Sequence, residues 1–148
     1  VDALPAGAPI DATALQAMAE WEGVEGRPWD AVLIRTGYLK YWPDEEKMKA
    51  HLTAGPDISA ADWLLERGVI GTGTDTETYE VQPAPDPGPE GNPQPVHKHL
   101  LIDNGSDLMA SLDREEQARE KGDEVAFSAL PLKIKGATAS LGDPVAAI

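Results

Sequence analysis

The sequence predicts an α/β fold: a mixed sheet with flanking helices. Three observations carry this. Ala31-Val32-Leu33-Ile34 is a continuous apolar run bounded by turn signals, the pattern of a strand covered on both faces. A helical segment over 59–67 follows, and Val69-Ile70-Gly71 comes directly after it. Strand, helix and strand in that order form a β-α-β unit. Residues 124–134 alternate through Val125, Phe127 and Ala129, then change phase to Leu130, Leu132 and Ile134 at Pro131, which marks a bulge or an edge. Strands near 31–36, 69–73 and 125–134 are expected in one sheet, with helices near 11–22 and 59–67 packed against it.

Residues 1–10 are small and irregular, and the chain begins at Val1 rather than at a methionine, the start expected of a processed or truncated product. Asp11 is a good helix N-cap, and Ile10 and Leu15 occupy the positions of a hydrophobic staple. Leu15, Met18 and Ala19 form one stripe, and Gly23 is the stop. After the first strand, Arg35-Thr36-Gly37 places an arginine at a strand end, where it serves either a substrate or, more simply, a structural ion pair. Residues 44–51 read as a short charged helix with His51 solvated. In the next helix Ser59 reads as the N-cap, Asp62 as the acid at N3, Ile58 and Trp63 as the staple, and Gly68 as the end. Gly71 to Thr76 reads as a turn held by Asp75; it lacks the Lys-Ser/Thr ending of a phosphate loop.

Residues 83–95 hold Pro83, Pro85, Pro87, Pro89, Pro93 and Pro95. Such a stretch is either a linker or an extended surface loop. Too little chain follows it for an independent core, so 1–148 reads as a single domain with this loop on its surface. Beyond it, Asn104-Gly105 is a turn signal, and Asp113 with Glu116 opens a charged helix that Gly122 ends.

The chain carries 12 Lys+Arg against 26 Asp+Glu, a net charge of −14. This balance argues against nucleic acid and anionic membranes as partners, since both need clustered basic residues. Without cysteine there are no disulfides and no thiolate ligands. No apolar run approaches the roughly 20 residues of a membrane-spanning helix, and the start has no basic signal-peptide region. A cytoplasmic protein is expected.

Two of the three histidines, His97 and His99, lie in Pro95-Val96-His97-Lys98-His99-Leu100-Leu101. Histidine is the commonest metal ligand and the usual proton carrier near neutral pH. A catalytic metal site uses about three protein ligands and an open position, so the pair needs further donors.

Five segments stand out in order and spacing: Val32-Leu33-Ile34-Arg35-Thr36-Gly37, Ala61-Asp62-Trp63-Leu64-Leu65-Glu66-Arg67-Gly68-Val69, Gly73-Thr74-Asp75-Thr76 with Glu80, Pro95-Val96-His97 with Leu100-Leu101, and Pro131-Leu132-Lys133-Ile134-Lys135-Gly136-Ala137-Thr138. Through them the chain resembles the C-terminal part of the cyclase-family metal-dependent hydrolases, which include kynurenine formamidases and isatin hydrolases. The resemblance implies that family's swivelling β/β/α-like fold, with the N-terminal portion missing. It also implies a divalent zinc or manganese site that activates water against an amide or lactam carbonyl. In the family most ligands and the catalytic histidine come from an H-x-G-T-H-x-D-x-P-x-H segment. That segment has no counterpart here and would lie upstream of Val1, so no catalytic residue is expected within the chain.

The resemblance places a metal ligand at His97, with His99 as competitor, and gives substrate or loop-structuring roles to Arg35, Asp75, Thr76 and Glu80. Its downstream ligand glutamate falls on Ala110, which cannot coordinate a metal. Two expectations follow. One is an arylformamidase-like hydrolase of a small linear or cyclic amide, a homo-oligomer (dimer or tetramer) when intact, present here as a fragment that binds no metal tightly alone. The other is a non-catalytic member that keeps the fold as a binding or assembly module.

Overall fold

The computed structural model describes residues 2–50, 53–89, 91–120 and 122–147. Strand β1 (Pro9–Ile10) leads into helix α1 (Ala12–Glu22). As expected, the Asp11 side chain accepts the Ala14 N–H at 2.7 Å, and Gly23 closes the helix in the left-handed conformation. Strand β2 (Ala31–Ile34), a 3-10 turn at Tyr38–Tyr41 and helix α2 (Glu45–Ala50) follow. Val1 and His51 lie outside the described residues. Strand β3 (Gly55–Pro56) pairs with β1 in parallel and enters helix α3 (Ile58–Glu66).

The cap of α3 is Asp57 rather than Ser59: its carboxylate takes the Ala60 N–H at 3.1 Å. Ser59 donates its hydroxyl to that carboxylate at 2.7 Å and accepts the Ala12 N–H at 3.1 Å, joining the starts of α1 and α3. A carboxylate satisfies an orphan helix N–H more strongly than a hydroxyl does, which accounts for the shift of register.

Strand β4 (Gly71–Thr74), helix α4 (Pro95–His97, continuing as a π-helix over Lys98–Asp103) and strand β5 (Asp107–Met109) complete the central sheet. Its order is β2-β4-β5, all parallel, with Ile34 opposite Thr74 and Gly73 opposite Met109. Helix α3 is the crossover between β2 and β4, so the expected β-α-β unit is present. Its faces divide the core in two. Ala60 and Leu64 pack with Ile10, Leu15, Ile34 and Val69. Ala61 packs with Tyr79, Val96 and Leu100, towards α4.

The sheet corrects the sequence reading in two places. Its middle strand, expected near 69–73, is Gly71–Thr74, so it runs into the stretch read as a turn; Val69 turns into the core and Ile70 is half exposed. Every residue of β4 is buried, and the Thr72 hydroxyl donates to the Val32 carbonyl at 2.9 Å. Small residues suit a strand that neighbours approach from all sides, but they carry no apolar signal. The third strand is β5, and 125–134 does not join the sheet. Helix α5 (Glu115–Glu120) is followed by β6 (Ala126–Ser128), which pairs antiparallel with β7 (Val145–Ala147) in a separate two-stranded sheet. Leu130, Leu132 and Ile134 lie beyond β6, outside any strand and exposed. Alternation specifies one face of a strand without naming its partner, and here the pairing goes to the end of the chain.

The proline-rich stretch folds back on itself. The Asn92 N–H reaches the Pro87 carbonyl at 3.0 Å, and the Gln82 side-chain amide reaches the Pro93 carbonyl at 2.8 Å. It thereby returns the chain to the first turn of α4. No helix among the described residues is long and apolar enough to cross a membrane.

Candidate functional site

The three parallel strands end side by side, and the residues just past them are Arg35-Thr36, Asp75-Thr76 and Ala110-Ser111. Open α/β sheets bind ligands beyond the carboxyl ends of their strands. Asp75 ties two of these ends together. Its Oδ1 accepts both the N–H and the hydroxyl of Thr36, each at 2.7 Å. Its Oδ2 is buried and has no hydrogen-bond partner among the described residues. Thr76 is also buried; its hydroxyl lies 2.8 Å from that of Thr74, and its carbonyl accepts the Ser111 N–H at 2.9 Å. Asp75 and Thr76 thus bind strand ends to one another.

Arg35 does the same at the rim. Its Nε and Nη2 donate to the two oxygens of Glu115, each at 2.9 Å, and this bond holds the guanidinium's pKa above its usual value. The bidentate geometry is that of a structural ion pair, and both groups keep about a quarter of their side-chain exposure. Arg35→Ala is expected to lower stability by about 1 kcal/mol, the scale of a partly exposed pair with good geometry. Urea unfolding checks this; a loss beyond about 3 kcal/mol would show that the pair is far better shielded.

Past Thr76 the chain makes a tight excursion and returns with Tyr79 and Glu80 buried. The Tyr79 hydroxyl donates to Thr72 at 3.0 Å, and burial pushes this phenol well above its ordinary pKa, so it remains a neutral donor. Glu80 is 1% exposed, which for a carboxylate demands partners. Its Oε2 accepts the Val96 N–H at 3.0 Å, and its Oε1 accepts the His97 N–H at 3.0 Å. Oε1 also lies 2.6 Å from His97 Nδ1. Glu80 therefore caps the start of α4 and grips the His97 ring at once. The ring meets Tyr79 in a T-shaped contact with centroids 6.0 Å apart.

His99 goes elsewhere. Its Nε2 lies 2.7 Å from Asp62 Oδ1 on the solvent side of α3. Residues two apart on a helix do not face each other, so the sequence pair is not a spatial pair. Ala110 is exposed just after β5 and offers no donor atom. Among the described residues no group of three or more His, Asp or Glu side chains could hold a metal ion. A catalytic metal does not fit the described residues without further donors. The catalytic histidine of the resemblance was expected upstream of Val1, and Val1 itself is not among the described residues. Sequence reasoning placed Glu80 in the site only through the resemblance. The bond to His97 spans 17 positions, and no local pattern signals it.

A parallel β-α-β core with helices packed against it defines an α/β fold. The Cyclase family model matches residues 1–81, and the chain belongs to that family. Among solved structures, a novel cyclase superposes with a TM-score of 0.84 at 26% identity, covering 99% of this chain and 48% of that one. An isatin hydrolase bound to the product analogue thioisatinate superposes with a TM-score of 0.75 at 27% identity, covering 94% of this chain and 52% of that one. The chain thus spans about half the length of the structures it matches. No curated protein matches it.

Proposed function

We propose that the chain serves a metal-dependent hydrolase of a small linear or cyclic amide, and that His97 is one of its metal ligands. The observation that supports this most is the His97 ring itself. Metal-bound histidines characteristically give their second nitrogen to a carboxylate or carbonyl, and Nδ1 of His97 faces the buried Glu80 at 2.6 Å. The likeness to an isatin hydrolase at 27% identity supports the substrate class. The remaining ligands, zinc or manganese as the metal, and assembly into a dimer or tetramer belong to the same reading.

Ala110 favours a second reading, a non-catalytic member, because it stands exposed at the strand end where the resemblance asks for a glutamate. One experiment separates the two. Zinc and manganese are titrated by calorimetry into the present chain and into a chain extended upstream of Val1 by an H-x-G-T-H-x-D segment. The present chain is expected to bind neither tightly, and the extended chain to bind stoichiometrically. His97→Ala should weaken that binding about 10-fold or more, while His99→Ala leaves it within about 2-fold. Equal losses from both variants would remove His97 from the ligand set; no binding by the extended chain would favour the non-catalytic reading.

A further inference from the structure

His97 sits at the point where α4 changes pitch, the last residue of its α-helical turn before the π-helical one. Three contacts converge on it or its neighbour from one carboxylate. Oε2 of Glu80 takes the Val96 N–H, and Oε1 takes the His97 N–H, both at 3.0 Å. The same Oε1 meets His97 Nδ1 at 2.6 Å. Both oxygens already face amide hydrogens. A hydrogen in the Nδ1···Oε1 contact is therefore best placed on the nitrogen, with the carboxylate accepting throughout. The Glu80 side chain is 1% exposed and the His97 side chain 27%, so the carboxylate is fully enclosed while the ring it holds keeps part of its surface in solvent. Tyr79 walls one side of the ring at a centroid distance of 6.0 Å, itself fixed by its bond to Thr72.

We infer that Glu80 is a positioning residue. It locks His97 as the Nδ1–H tautomer and keeps the Nε2 lone pair free for a divalent cation. The cation rests on the reading of His97 as a ligand; the tautomer does not. A neutral imidazole offers one lone pair, and the hydrogen bond made by the other nitrogen decides which. Without the carboxylate, Nε2–H and Nδ1–H forms would exchange, and part of the population would turn a hydrogen towards the cation.

The test is a long-range proton–nitrogen correlation spectrum of the imidazole rings, recorded on the uniformly 15N-labelled chain at alkaline pH without metal. His97 is expected as the Nδ1–H form, with Nε2 unprotonated. In Glu80→Gln that signature is expected to give way to a mixture, while His99, held by Asp62 at 2.7 Å, keeps its wild-type pattern. A wild-type His97 carrying hydrogen on Nε2, alone or on both nitrogens, overturns the inference even if Glu80→Gln does not fold. So does an unchanged His97 pattern in a folded Glu80→Gln. Loss of the metal effect of His97→Ala, with the tautomer result intact, overturns the ligand reading instead.

Discussion

Glu80→Ala is expected to lower the stability of the chain by about 3–5 kcal/mol. Hydrogen bonds to a charged group contribute about 1.5–3 kcal/mol each, and the substitution removes the acceptor of two amide hydrogens and of one imidazole. Burial decides how much of that is felt. Val96 is 1% exposed, so water cannot replace its lost partner, and its N–H bears the full desolvation penalty. His97 is partly exposed, so its share is smaller. The cavity left by a buried glutamate side chain adds to the loss. Glu80→Gln retains the volume and one acceptor oxygen but turns an NH2 group towards one of the same amides, so an intermediate loss of about 1–3 kcal/mol is expected. Urea unfolding followed by tryptophan fluorescence measures both. A loss below about 1 kcal/mol for Glu80→Ala would mean that α4 starts stably without its carboxylate cap.

The difference between what the sequence announced and what it concealed follows from the range of the interactions. Asp11, Gly23 and the Ala31–Ile34 run act within a few residues of themselves, and helix α1 and strand β2 lie where they were read. Helix α3 was legible as a helix, but its cap moved from Ser59 to Asp57, because two capping residues stood two positions apart and charge decided between them. Strand β4 was legible near 69–73 but its bounds were not: Gly-Thr-Gly-Thr looks like a turn, and only the crowding of β2, β5 and Leu112 around it favours small side chains there. The 125–134 stretch misled for the opposite reason, since its alternation is genuine but its partner is β7 rather than the sheet. In the candidate site, Glu80 holds the His97 ring and Asp62 the His99 ring, and the local sequence names neither partner. Arg35 pairs with Glu115, and nothing near it in sequence named that partner.

Gly55→Ala is expected to lower stability by more than about 3 kcal/mol, and it acts on the backbone of the same carboxylate residue. A Cβ at Gly55 would collide with the Tyr79 carbonyl oxygen, and would stand 2.7 Å from the Glu80 carbonyl carbon and 2.9 Å from the Val81 nitrogen. All three are backbone atoms, so no rotamer change relieves them. Nor can the two segments simply part. Gly55 N–H is bonded to Ala8 at 3.2 Å, Val81 N–H to Pro56 at 3.3 Å and Gln82 N–H to Thr53 at 3.0 Å. Separating them breaks bonds on both sides of β3. Overpacking of a well-filled interior costs about 1–3 kcal/mol where side chains can adjust, so a rigid backbone collision should exceed about 3 kcal/mol. Gly26→Ala is the control: its added Cβ meets only Arg67 Cδ at 3.5 Å and the Val69 and Val32 methyls at 3.8 and 3.9 Å, ordinary contacts. That change should lie within about 1 kcal/mol of neutral, with the reduced freedom of the unfolded chain favouring the variant. Because the displaced backbone is that of Tyr79 and Glu80, folded Gly55→Ala should also loosen the Nδ1–H preference of His97, whereas Gly26→Ala should leave it unchanged. Urea midpoints and the imidazole spectrum are read on the same samples. Equal midpoints for the two variants would show that β3 and the 79–82 segment yield to each other freely, and that Glu80 is held by α4 alone.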